Sequence, residues 1–149
     1  MLGRHDDTPV RILFLCTGNS CRSQMAEGWA HALSGGTIEA ASAGLVAHGK
    51  NPRAVAVMAE SGVDISRQES KQVTGAMLAR ADVVVTVCGD ADERCPVLPP
   101  GVRKIHWPLQ DPARANGSEE EVLRVFRATR DAIRDHVRGL LQELTSSPA

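Results

Sequence analysis

Neither sign of charge is in excess: 17 basic against 18 acidic side chains leave a formal net charge of −1. A chain so balanced offers no broad field to nucleic acid or to an anionic membrane surface, so any anion it binds must be held locally. Long hydrophobic runs are missing as well. The strongest, Val83 to Val87, is strand-sized, and Met1 to Thr8 is polar, which argues against a membrane span or a secretory leader and in favour of the cytoplasm. Cysteine is scarce, with four residues in 149. In a cytosolic chain, so few thiols point to catalysis or metal binding rather than to a disulfide framework. Repeats and low-complexity segments are absent, and the length suits one domain, 1–149, able to bury a full core unaided.

What the sequence does have is an apolar run, Val10 to Leu15, leading into Cys16-Thr17-Gly18-Asn19-Ser20-Cys21-Arg22-Ser23. A buried strand thus carries a thiol to its carboxyl end, and a helix should start near Arg22. The residues between are small or polar, so the loop can curl until its backbone N–H groups converge as an anion-binding nest beside a helix amino end. A tetrahedral oxyanion suits that concavity. Arg22 adds a planar fork matched to two of its oxygens, and its charge favours the thiolate of Cys16, with the Ser23 hydroxyl as a further donor. A thiol of pKa near 8.5 is about 3% ionised at pH 7, against about 90% when lowered to roughly 6, a thirtyfold gain in nucleophile. Thr17, Gly18, Asn19, Ser20, Cys21, Arg22 and Ser23 form the expected oxyanion cradle, with Cys21 otherwise a structural thiol.

Strand-like runs alternate with helical patterns along the chain, the signature of an α/β fold: an open parallel sheet with helices on both faces. Helical spacing from Ser23 to Leu33 ends at Gly35-Gly36, and a second strand covers Thr37 to Gly44. Pro52 opens a helix to Ser61, a shorter one runs from Thr74 to Ala81, and a third strand spans Ala81 to Val87, ending at Cys88. Lys104 to Trp107 makes a fourth strand. Ser118-Glu119-Glu120-Glu121 reads as a capping box opening a long last helix with an apolar stripe from Val122 to Leu144. The ends, Met1 to Thr8 and Thr145 to Ala149, should fray. Ligands of such sheets bind beyond the carboxyl ends of the strands, where Cys16, Cys88 and Asp111 all fall. If strands one and three are neighbours, about 4.8 Å apart, Cys16 and Cys88 come within reach of each other.

These residues resemble the low-molecular-weight tyrosine phosphatase fold, and as a set its arsenate reductase branch. The resemblance runs through the loop, Gln24 to Trp29, Ser42-Ala43-Gly44, His48 to Pro52, Asp64-Ile65-Ser66 and Cys88 to Pro96, with Asp111-Pro112 later. It implies that Cys16 attacks arsenate held by the loop and Arg22 while Asp111 protonates the departing oxygen. It further implies a relay in which Cys88 attacks Cys16, releasing arsenite, Cys95 then attacks Cys88, and reduced thioredoxin restores the final disulfide. The expectations that accompany it are no bound cofactor, competition from phosphate or sulfate, and a monomer. Some relatives hold potassium through residues matching Asn19, Glu27, Ser42 and an Asp; here the fourth position is Lys71, whose ammonium would replace the cation, so no metal is expected. The absence of tyrosine removes the aromatic pair that follows Asp-Pro in the phosphatases, again favouring the reductase.

The alternative is a phosphatase acting on phosphotyrosine or a small phosphoester. A thiol oxidant sensor, with Cys16 oxidised and trapped by Cys88, leaves the oxyanion cradle without a purpose. A four-cysteine zinc site would consume the nucleophile, and its ligand spacing departs from that of zinc knuckles. Asp90 to Arg94 can form a short helix in the reduced protein. Seven residues of helix span about 10.5 Å, whereas disulfide-bonded Cα atoms lie about 4.4–6.8 Å apart, so helix and Cys88–Cys95 bond exclude each other. Gly89 and Pro96 flank the segment and would keep its rearrangement local.

Overall fold

The computed structural model describes residues 9–95 and 97–145. Four strands, β1 (Val10–Cys16), β2 (Ile38–Gly44), β3 (Val83–Thr86) and β4 (Arg103–His106), form one parallel sheet in the order β2-β1-β3-β4. The chain steps from β1 outward to β2, then back across β1 to β3 and on to β4. Right-handed crossovers in opposite directions put the connecting helices on opposite faces. On one side lies α1 (Arg22–Ser34), against which α2 (Pro52–Glu60) packs although it belongs to the β2–β3 connection, together with α5 (Glu119–Thr145); α3 (Gly75–Arg80) completes the β2–β3 crossover and α4 (Gly89–Glu93) forms the β3–β4 one. A 3-10 turn, Pro112–Arg114, precedes α5.

Local chemistry sets most boundaries. Gly35 ends α1 in the left-handed conformation (φ 61°), Asn51 caps α2 by accepting from Arg53 N–H, and Thr74 caps α3 by accepting from Met77 N–H. Ser118 and Glu121 exchange hydrogen bonds of 3.1 Å each, the capping box expected at the start of α5. The third strand is shorter than its apolar run. At its entry the Asp82 carboxylate, rather than a backbone carbonyl, takes the Arg11 N–H (2.8 Å), so the regular ladder begins at Val83. It ends at Thr86, although Val87 still donates to the Leu15 carbonyl (3.0 Å). Thr145 closes α5 instead of fraying; the other residues of the expected frayed ends, and Pro96, lie outside the described residues.

The core is one continuous buried cluster that joins Phe14, Leu15, Val83, Val84 and Val85 of the sheet with Met25, Met58, Phe126 and Ile133 of the helices and Ile65 of the loop after α2. Trp29 reaches across to α5, its indole N–H donating to the Arg130 carbonyl. Among the described residues no helix is long and apolar enough to cross a membrane.

Candidate active site

The order of the strands reverses at β1, so the carboxyl ends of β1 and β3 open a crevice at the switch point. A cavity of about 1070 Å³ occupies it, lined by Cys16, Thr17, Gly18, Ser20, Cys21 and Arg22 of the loop, by His48, by Cys88 and Gly89, and by Asp111. Cys16, Cys88, Arg22 and Asp111 are thus brought together. Cys95 is left outside this lining, half-buried beyond the far end of α4.

The curl of the loop has an identifiable cause. Leu45, Val46, His48 and Asn51 donate backbone N–H bonds of 2.9–3.0 Å to the carbonyls of Cys16, Thr17, Gly18 and Ser20. The Gln24 side chain takes the remaining carbonyl, that of Asn19 (3.1 Å). In a trans peptide the N–H points opposite to the C=O, so five carbonyls held outward turn the N–H groups of residues 17 to 21 towards the concave side. The Asn19 N–H ends 3.2 Å from the Cys16 sulfur. Close packing makes this possible at Gly44, which pairs with Cys16 across the sheet: a Cβ there would stand 2.3 Å from the Val46 carbonyl and 2.7 Å from Asn19 N.

Asn19 sits at positive φ (49°), fully buried, and every bond its side chain can make is made. Its Nδ2 donates to Ser23 Oγ and Ser42 Oγ (2.9 Å each), while its Oδ1 accepts from Lys71 N–H (2.9 Å) and Gln24 Nε2 (3.1 Å). Ser42 in turn donates to Glu27 (2.7 Å). Because Ser23 accepts from Asn19, its own proton is free to point at the Cys16 sulfur, 2.8 Å away. Two donors therefore converge on that sulfur. The Asn19 side chain thus braces the loop from behind, while its N–H lies within the cradle.

The same network corrects the expectation for Lys71, which enters it through its main-chain N–H and not its ammonium. In this network Asn19 Oδ1 accepts two hydrogen bonds and Ser42 donates to Glu27. Among the described residues no cluster of three His, Cys, Asp or Glu side chains is placed to hold a metal.

Arg22 is nearly buried, donating to the Leu109 carbonyl (2.9 Å) with its other amino group 3.8 Å from Asp111 Oδ2. Asp111 has two attachments. Its Oδ1 accepts from Ala113 N–H (3.0 Å), capping the 3-10 turn, while Oδ2 faces Arg22 and the cavity. The aspartate that caps the turn thus also presents an oxygen to the crevice. Cys88 precedes α4, with its sulfur 3.2 Å from the Thr17 hydroxyl and accepting from Ala91 N–H (3.4 Å).

The other two thiols differ in kind. Burial pushes Cys21 up to about 11, the Ser20 hydrogen bond offsetting this only in part, so it stays a neutral packing residue although it lines the cavity. Burial also raises Cys95, with Lys104 acting in the opposite sense. All four thiols are free. His48, which no catalytic pattern in the sequence marks, packs its imidazole on Gly18, where a Cβ would stand 2.5 Å from its Nδ1. Its place in the His48-Gly49-Lys50-Asn51-Pro52 run was the only signal.

Residues 11–148 match the model of the low molecular weight phosphotyrosine protein phosphatase family. The chain is 53% identical over 127 residues to the arsenate reductase of Bacillus subtilis, covering 85% of this chain and 91% of that protein. Its identity to the arsenate reductase of Oceanobacillus iheyensis is 51% over the same shares. Among solved structures, an arsenate reductase in the phosphate-binding state superposes with a TM-score of 0.74 at 36% identity, covering 90% of this chain and 98% of the other. A thioredoxin-dependent arsenate reductase of Corynebacterium glutamicum does so with 0.76 at 27% identity, covering 96% and 66%.

Proposed function

The chain belongs to the low molecular weight phosphotyrosine protein phosphatase family, and from that premise we propose that it reduces arsenate to arsenite with electrons from thioredoxin. The supporting observation is one cavity shared by a sulfur with two converging donors (Cys16), a guanidinium (Arg22), a carboxyl group (Asp111) and a second thiol (Cys88). Kinship to arsenate reductases at about half identity points the same way.

Cys16 attacks arsenic(V) as a thiolate, forming an S–As bond while the opposite As–O bond breaks and Asp111 gives the departing oxygen its proton. The inward N–H groups of residues 17 to 21 and the Arg22 fork hold the remaining oxygens. Cys88 then attacks the Cys16 sulfur. An S–S bond forms, the S–As electron pair passes to arsenic, and arsenite, now arsenic(III), leaves. Cys95 attacks Cys88 and expels Cys16, whose thiolate is received again by Ser23 and the Asn19 N–H. Thioredoxin's two thiols supply the two electrons that reopen the Cys88–Cys95 bond. Because Cys95 lies outside the cavity and α4 separates it from Cys88, this exchange requires the helix to unwind. Phosphate and sulfate compete for the cradle by shape and charge. On this reading the chain, 1–149, is one domain acting as a cytoplasmic monomer without bound cofactor.

The test couples arsenate-dependent NADPH oxidation, through thioredoxin and its reductase, to a parallel measurement of aryl-phosphate hydrolysis. Cys16→Ser should abolish both activities. Cys88→Ser and Cys95→Ser should end multiple turnover with arsenate while sparing hydrolysis; equal loss of both in Cys95→Ser would leave that thiol a structural part. Efficient hydrolysis without any arsenate-dependent turnover would establish the phosphatase instead.

A further inference from the structure

Helix α4 is too short to be stable by itself, yet it stands between the two thiols that must finally join. Asp92 ties it to β3 and β4. Asp92 Oδ1 lies 2.9 Å from Lys104 Nζ, 3.2 Å from Thr86 Oγ1 and 3.9 Å from His106 Nδ1, and Thr86 also meets His106 Nδ1 at 2.8 Å. Lys104 bonds the Asp92 main-chain carbonyl as well (3.2 Å), in the last turn of the helix. One ammonium therefore holds both the charge and the carboxyl end of α4. Among the described charged groups, the two that act on the Cys95 thiol are this same pair, Lys104 from β4 and Asp92 from α4, with opposite signs.

Resting on the thioredoxin-coupled reading above, we propose that Lys104 is a positioning residue for the last disulfide exchange: parked on Asp92 while α4 is folded, its ammonium passes to the Cys95 thiolate once the helix unwinds. With α4 intact, Asp92 neutralises Lys104, and Cys95, half-buried, stays a thiol that does not waste itself on stray oxidants. Formation of the Cys16–Cys88 bond takes the Cys88 sulfur from its place against the Ala91 N–H and so removes a support from the first turn of the helix. As α4 opens, Asp92 leaves with it, whereas Lys104 remains on the sheet. The Cys95 proton goes to water, the thiolate attacks the Cys88 sulfur, a Cys95–Cys88 bond forms, the Cys88–Cys16 bond breaks, and Cys16 leaves as thiolate. No net electron change accompanies the exchange.

Two variants separate this from a merely structural latch. Asp92→Asn removes the charge from the link between α4 and β4 and Lys104→Ala removes both of its hydrogen bonds, so a latch alone predicts that each loosens the helix and speeds the exchange. The positioning role predicts opposite signs. Asp92→Asn should lower the pH midpoint of Cys95 alkylation in the reduced protein and accelerate Cys88–Cys95 formation. Lys104→Ala should raise that midpoint by about half a pH unit and slow the exchange about threefold at pH 7, and Lys104→Arg should restore both. The alkylation profile, read by mass spectrometry of the Cys95 peptide, needs no arsenate. The exchange is followed by trapping thiols after one equivalent of arsenate without thioredoxin. Shifts of the same sign in the two variants, or no shift in either, overturn the proposal. Absence of any Cys16–Cys88 bond in the unaltered protein would instead overturn the reaction on which it rests, leaving the alkylation result to stand by itself.

Discussion

At the scale of single residues, the site depends on groups with two attachments. Asp111 caps a turn with one oxygen and faces Arg22 with the other, so an amide in its place keeps the cap through its own carbonyl but has no proton to release. Asp111→Asn should therefore leave phosphate binding within about twofold while slowing pre-steady-state arsenite release by about a hundredfold, within the usual range for a lost general acid. An unchanged rate would reduce Asp111 to a turn residue. Gly44 carries a different constraint. A methyl group there would be driven into three backbone atoms, of Val46, Asn19 and Thr17, none of which can rotate away. Gly44→Ala should cost about 1–3 kcal/mol of stability in denaturant titrations and displace the loop enough to weaken oxyanion binding. Stability and binding equal to those of the unaltered protein would mean that the loop adapts.

Among the described elements, α4 is the one that the proposed relay requires to change. It has five residues, Ala91 as its buried anchor and Asp92 as its tether, whereas its neighbours β1 and β3 are buried along most of their length. Local opening favours segments with few apolar contacts. Hydrogen exchange compared between the reduced and the Cys88–Cys95 oxidised protein should show protection lost between Gly89 and Leu98 and unchanged in β1 and β3. Identical exchange in both states would refute the unwinding. Helix α5 behaves in the opposite way. Its side chains Phe126, Ile133 and Val137 enter the core, and Glu119, Arg127 and Arg130 bind Arg53 and Glu60 of α2, so two long-range partners hold it to the α1 face.

For the whole molecule, stability should fall at both extremes of pH, for reasons of opposite sign. Glu60, Glu119, Asp131 and Glu143 are each held below the usual carboxylate range, first of all by hydrogen bonds from arginine. A carboxyl lowered in the folded state contributes stability above its unfolded value, near pH 4, and loses it as the pH falls further. Cys21 runs the other way. Burial raises it from 9.0 to about 11, so its contribution is complete below pH 9 and is lost between 9 and 11, where only the unfolded chain gives up the proton. Thermal unfolding should show a decline on the order of 2 kcal/mol across that alkaline interval, much reduced in Cys21→Ala. Equal alkaline slopes in the two proteins would assign the loss to other groups.

The α/β alternation, the thiol at the end of the first strand and nearly every helix end are legible in the order of the residues. Those signals act over a few residues: Gly35 beyond α1, Asn51-Pro52 before α2, Thr74 before α3, and Ser118 with Glu121 at α5. The placement of Cys88 beside the cradle was legible only as a condition on strand order, and the adjacency of β1 and β3 met it. Tertiary structure alone decided the rest. The outward pull on the loop carbonyls comes from residues 45 to 51, the brace on Ser23 runs through Asn19 to Ser42 and Lys71, and the tether on α4 comes from β4. No local pattern marks such bonds, since they join backbone amides and common polar side chains that any exposed segment also carries. They become specific when packing brings residues far apart in the chain together and excludes the water that would otherwise satisfy them.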